Sequence, residues 1–197
     1  MRAALLVIDL QRYYLEVGPQ EKLARVGTLI ANTNDLIAFF HNRVLPIVRI
    51  RIAHKSDGST WNQQMKPHWT GELLKGTLIE GTWETEPHRD LRQNQTDIVV
   101  TKTRGSAFLR TDLEDVLRRL QVDAVVVTGF STNRCVGLTA IEAWERDFKV
   151  ILAGDAILGT HLRDGELMLD YLRKAFQIVP VSNAEVKRIV AAQGEMK

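Results

Sequence analysis

One cysteine, Cys135, stands among the 197 residues, and that scarcity excludes an internal disulfide and any Cys-rich zinc site. It leaves no resolving thiol for a redox sensor built within one chain, and it suits a reducing compartment. No apolar run approaches the roughly 20 residues of a membrane span. The opening stretch, Ala3-Ala4-Leu5-Leu6-Val7-Ile8, is too short for a secretory leader and is ended by Asp9. A cytoplasmic protein without a membrane partner is expected. Charge of one sign is also scarce: 26 basic against 24 acidic side chains leave a net of +2. The pairs Arg49/Arg51 and Arg118/Arg119 lack the interleaved aromatics of a nucleic-acid groove, so no nucleic-acid partner is expected. After the first apolar run comes Leu10-Gln11-Arg12-Tyr13-Tyr14, with no glycine pair to admit a pyrophosphate. Both the dinucleotide fingerprint and the P-loop are missing. Repeats, low-complexity stretches and linkers are absent too, and the chain reads as a single domain over residues 1–197.

What is present is an alternation of strand-like and helix-like segments. Residues 3–9, 46–53, 97–101, 122–128, 148–153 and 177–181 read as strands, the fourth being the most apolar and broken by Gly129. Between and after them, residues 21–43, a stretch from about 111, residues 132–146, residues 163–175 and a stretch from 183 carry helical periodicity. Thr111 and Asp112 read as caps, with Glu114 at the capping-box spacing. Strands joined by helices imply right-handed crossovers, hence an α/β protein: a three-layer α/β/α sandwich with a mainly parallel sheet of about six strands. The exception is residues 54–95, which hold Trp61, Trp69 and Trp83. Aromatics in so long an excursion point to a lid, a pocket wall or a subunit contact.

In such sheets the carboxyl ends of neighbouring strands converge on one crevice. Asp9 ends the first strand, Lys102 ends the third, and Cys135 follows the fourth within Ser131-Thr132-Asn133-Arg134-Cys135. Helix-start residues there place the thiol in a first turn, where free N–H groups and the helix dipole favour thiolate. Lys102 would hold that thiolate by charge, while Asp9 would take the thiol proton and return it to a leaving nitrogen. The plain alternatives are a cysteine used as a small buried hydrophobe, a turn-forming aspartate and a solvated lysine.

Several blocks resemble one known family when taken together and in order: Val7-Ile8-Asp9-Leu10-Gln11; Lys102-Thr103-Arg104-Gly105-Ser106-Ala107-Phe108 with Thr111-Asp112-Leu113; Val127 to Val136 with Thr139-Ala140 and Ala143; and Gly154-Asp155-Ala156. The chain is similar to the isochorismatase-like cysteine hydrolases, most of all to their metal-independent carbamoyl and ureido members. That resemblance implies a catalytic triad of Asp9, Lys102 and Cys135. It also implies a non-proline cis peptide at Phe130–Ser131 and an oxyanion hole of the Ser131 and Cys135 N–H groups. The implied reaction cleaves a C–N bond of a small amide, carbamoyl or ureido compound through a thioester. Two alternatives stay open: isochorismatase-type vinyl ether hydrolysis driven by Asp9, and a non-catalytic relative that binds a small molecule.

Members that hydrolyse nicotinamide carry an Asp-x-His pair and a further His for a metal ion. Here Ile52-Ala53-His54 follows Arg51, so no metal and no cofactor are expected. His54 remains either a pocket residue or a hydrogen-bonded structural one. Tyr13, Trp61, Trp83, Phe108 and Phe130 are candidate pocket walls, and Arg104 and Arg134 are candidate carboxylate binders. A small-molecule substrate is the expected partner, and the family resemblance implies a homo-oligomer, dimer or tetramer.

Overall fold

Two segments are apolar at nearly every position, and only a strand covered on both faces keeps such a run dry. They form β1 (Ala3–Ile8) and β4 (Ala124–Phe130), in which every residue is buried. The computed structural model describes residues 2–63 and 77–192. His68, Trp69 and the rest of 64–76 lie outside the described residues. On one side of β1 come β2 (Ile47–Ile52) and β3 (Ile98–Lys102), whose exposure rises toward the sheet edge. On the other side β4 is followed by β5 (Lys149–Leu158) and β6 (Pro180–Val181). The order is β3-β2-β1-β4-β5-β6 and every pair is parallel.

Residues on β1 alternate between two cores. Leu5 and Val7 pack with Val26, Ile30 and Phe40 of α2 (Gln20–Asn42) and with Val186 of α6 (Asn183–Ala191). Leu6 and Ile8 face α3 (Leu113–Arg119), α4 (Gly137–Trp144) and α5 (Leu162–Phe176). The result is the expected three-layer α/β/α sandwich. No helix among the described residues is long and apolar enough to cross a membrane.

Four local features differ from the sequence reading. Gly129 does not end β4. The strand continues to Phe130 with Gly129 at φ +120°. A Cβ there would overlap the Ile8 carbonyl oxygen, so glycine lets β4 lie against the end of β1. Opposite it the register slips, pairing Val127 with Leu152 but Gly129 with Ile157. The intervening Gly154-Asp155-Ala156 bulges outward. There Asp155 accepts from Asn183 N at 2.8 Å, and its carbonyl accepts from Asn32 Nδ2 at 2.7 Å. The bulge therefore docks α2 and α6, a structural use for that block.

The second difference is the segment from Thr132, which opens as a π turn (Thr132–Val136) before α4. Third, the capping box does not form. Thr111 Oγ1 donates to Ala107 O and accepts from Leu113 N, while Glu114 is drawn outward by Arg146 at 3.0 Å. Fourth, residues 12–16, which carry no long apolar period, coil into a one-turn helix α1 (Arg12–Glu16).

Candidate active site

The backbone brings the three strand-end residues together. Asp9 leaves β1 at φ +49°, a left-handed conformation that aspartate tolerates, and its N–H donates to Ile50 O at 2.9 Å. Lys102 is the last residue of β3, two strands away, and its long stem spans the gap. Its ammonium stands 2.8 Å from Asp9 Oδ2 and 3.3 Å from Cys135 Sγ, and it donates to Arg104 O at 2.9 Å. Neither Asp9 nor Lys102 is exposed at all. The peptide bond from Phe130 to Ser131 is cis. Beyond it Ser131 O accepts from Arg134 N at 3.0 Å and Val136 N at 3.1 Å, straddling the Cys135 amide between them.

Burial dominates the electrostatics. It pushes the Cys135 thiol up to about 12, with the neighbouring Asp9 charge adding to the rise and Lys102 opposing it. The expected thiolate at a helix start is therefore not the resting form; desolvation outweighs the dipole of a short π turn. Burial also raises the Asp9 carboxyl above its ordinary value, against the pull of Lys102. Burial works against the Lys102 ammonium too, but Asp9 and Cys135 overcome it and its pKa lies above the ordinary lysine value. The resting cluster is thus an Asp9–Lys102 ion pair beside a neutral thiol. A thiolate added to that pair would leave a net negative charge out of water.

Above the thiol lies a cavity of about 400 Å³, within the range that takes a small molecule. Of the candidate pocket residues, Tyr13, His54, Arg104, Phe130 and Arg134 line it, together with Ser131 and Cys135. Three others do not, among the described residues. Phe108 is a core residue, its ring stacked on Phe148 at 6.0 Å beneath the Arg146 guanidinium. Trp83 sits outside on a short 3₁₀ turn (Trp83–Thr85), 44% exposed, with Arg12 over its ring. Trp61 folds back over Gly58. Aromatic identity gave no means of telling a wall from a core or surface ring.

His54 is 1% exposed, with Nδ1 3.3 Å from Thr60 Oγ1, and its backbone bridges to Leu78 O and Glu80 N. Burial, then the charges of Arg104 and Lys102, hold its pKa below the ordinary value, so the ring is neutral. Among the described residues no three His, Cys, Asp or Glu side chains gather as metal ligands do.

Sequence reading missed three residues. The Gln11 amide spans the gap between β1 and β2: its nitrogen donates to Ile52 O, its oxygen accepts from Ile52 N, each at 2.9 Å. Tyr14 lines the cavity, its ring 5.4 Å from that of Phe130. Burial and the nearby Asp9 and Cys135 hold its hydroxyl protonated, well above the ordinary tyrosine value. Lys22 lines the cavity from α2. The last had a visible signal: it stands four residues before Val26 and seven before Leu29, on the apolar stripe of its helix.

Residues 3–184 match the family model described as the isochorismatase domain. An isochorismatase family protein of Escherichia coli, YecD, is 33% identical over 153 residues, covering 78% of this chain and 78% of that protein. A ureidoacrylate amidohydrolase of Pseudomonas syringae is 27% identical over 174 residues, covering 78% and 69%. Among solved structures, an isochorismatase family protein from Desulfovibrio vulgaris superposes with a TM-score of 0.82 at 26% identity. That match covers 96% of this chain and 98% of the other.

Proposed function

This chain belongs to the isochorismatase family of hydrolases, and from that premise we propose that it is a cysteine-dependent amidohydrolase cleaving a C–N bond of a small amide, carbamoyl or ureido compound. The observation that carries the proposal is one buried ammonium, Lys102 Nζ, in contact with both Asp9 Oδ2 and Cys135 Sγ, with Cys135 itself lining the cavity. A buried acid with a raised pKa beside a neutral thiol suits a group that must first accept a proton and then give it back.

In the proposed reaction Cys135 Sγ attacks the scissile carbon as its proton passes to Asp9. The tetrahedral oxygen accepts from the Ser131 and Cys135 N–H groups, an oxyanion hole. Collapse breaks the C–N bond, and the leaving nitrogen takes the proton from Asp9. Water then gives a proton to Asp9 and its oxygen to the thioester carbon, and the acid departs as the thiol regains its proton. Lys102 holds both partners in register and offsets the charge that develops on sulfur. No step uses a metal or cofactor.

The test is ammonia release from a panel of N-carbamoyl amino acids, ureido acids and simple amides. Cys135→Ala and Asp9→Asn are each expected to lower kcat by about a thousandfold or more. Intact mass during turnover should show Cys135 carrying the acyl group. A Cys135→Ala protein that retains turnover overturns the proposal. If that variant also cleaves an enol ether, Asp9-driven ether hydrolysis replaces it. The same reading takes the enzyme as a cytoplasmic dimer or tetramer, which sedimentation velocity checks.

A further inference from the structure

Lys22 holds a core position on α2 with a charge at its tip. It is 4% exposed, on the stripe that buries Val26, Leu29 and Ile30. Its ammonium donates to the carbonyls of Tyr14 and Val17 and stands 5.4 Å from the centroid of the Phe130 ring. Two of its three N–H groups are used in this way, and among the described residues it pairs with no carboxylate. Among the described residues no carboxylate offsets the cost of keeping it from water, and burial draws its pKa below the ordinary lysine value.

The remaining charge on the cavity wall has the same sign. Arg104 and Arg134 line it, and no Asp or Glu does among the described residues. Arg104 is partly committed, one of its nitrogens donating to Thr60 O and Thr103 O. Asp9, behind the thiol, is already matched by Lys102. A cavity of this size with an unmatched buried ammonium in its wall is complementary to an anion. The place is specific as well. Phe130, under the ammonium, leads directly into Ser131 and the turn that carries Cys135.

We propose that Lys22 anchors an anionic group of the substrate, so that the compound cleaved is a small amide or ureide bearing a carboxylate at the end away from the scissile carbon. The inference rests on the amidohydrolase reading and narrows it. One N–H and the charge of Lys22 go to the carboxylate, the Phe130 ring bounds the middle of the molecule, and the acyl carbon lies over Sγ.

Lys22 also closes the connection between α1 and α2, where a Cβ on Gly18 would lie 2.6 Å from its Nζ. The experiment must therefore report charge rather than integrity. Cys135 is the sole thiol, so its alkylation by iodoacetate and by iodoacetamide compares an anionic and a neutral reagent of nearly one size. The iodoacetate-to-iodoacetamide rate ratio, divided by that of a free small thiol, is expected to be raised about tenfold in the wild type. It should fall several-fold in Lys22→Met and be kept in Lys22→Arg. In the wild type alone, malonate or succinate should protect the thiol from iodoacetamide, and a matched neutral diamide should not. A ratio equal to the free thiol's, or no protection by either dicarboxylate, overturns the Lys22 assignment and leaves the thiol chemistry standing. A folded protein that releases ammonia from no compound of the panel overturns the amidohydrolase reading and this assignment with it. In the substrate panel, preference for carboxylate-bearing compounds over their amides should weaken in Lys22→Met through KM more than through kcat.

Discussion

Lys102 and Asp9 neutralise each other out of reach of solvent, and removing one leaves the other as an unpaired buried charge. Lys102→Met is expected to cost about 3–5 kcal/mol of stability. Asp9→Asn with Lys102→Met should cost less than the single change, read from denaturant midpoints. The thiol makes a separate, pH-dependent contribution. Its folded pKa is pushed up to about 12, so the folded state holds this proton more tightly than the unfolded chain. That contribution is complete below the ordinary thiol range of about 8.5 and is lost as pH rises from there toward the folded value. Between about pH 9 and 11 wild-type stability should therefore fall more steeply than that of Cys135→Ala, by up to one proton's worth of slope. Equal slopes would mean that the thiol ionises as freely in the fold as outside it. Asp9, Lys102 and Cys135 were legible as a group in the sequence because the first two close strands and the third lies in the turn that follows one. The resting charge of the thiol was not, because desolvation is a property of the packed site and not of the local run.

Among the elements, the contact of β4 with β1 matters most to the site, and it turns on Gly129. With φ +120° and no room for a Cβ beside Ile8, Gly129→Ala must push the carboxyl end of β4 away from Asp9. A loss of about 3–4 kcal/mol is expected, at the upper end for a single substitution. It should lower Tm by roughly 10 °C and take the activity with it. A Gly129→Ala protein that melts like the wild type would mean that β4 reaches Phe130 by another path. Gln11 fastens the same crevice from the other side: Gln11→Ala leaves Ile52 N–H and C=O without their side-chain partners, at about 1–3 kcal/mol. The strands and longer helices were legible from their apolar periods. Gly129 was misread as an end because a glycine that breaks a strand and one that permits a close approach look the same in a line of letters. The π turn escaped for a similar reason, since Thr132-Asn133-Arg134 opens an α-helix equally well.

In the whole molecule, the chain builds β1, β2 and β3 outward, then returns to lay β4 on the other flank of β1. The crevice opens where the order reverses, as in other open parallel sheets, which is why residues 9, 102 and 135 meet there. Both cores run through β1 and β4, and α6 is tied to α2 through Asn183 Nδ2 and Asn32 O at 2.8 Å. One cooperative unfolding transition is expected, with far-UV dichroism and tryptophan fluorescence giving the same urea midpoint. Two separated midpoints would divide the chain into units. The layered architecture was legible from alternation alone, whereas the choice of aromatics facing the cavity was settled only by how distant segments pack. Because every strand points the same way, the six residues of β1 place about 20 Å of sheet between its starting edge and the mouth of the cavity. Ala124 and Lys149 lie on that far edge, in register with Ala3. An affinity handle or resin linkage grafted beside Lys149 would hold the enzyme by its back, leaving the opening free to exchange small molecules with the surrounding liquid.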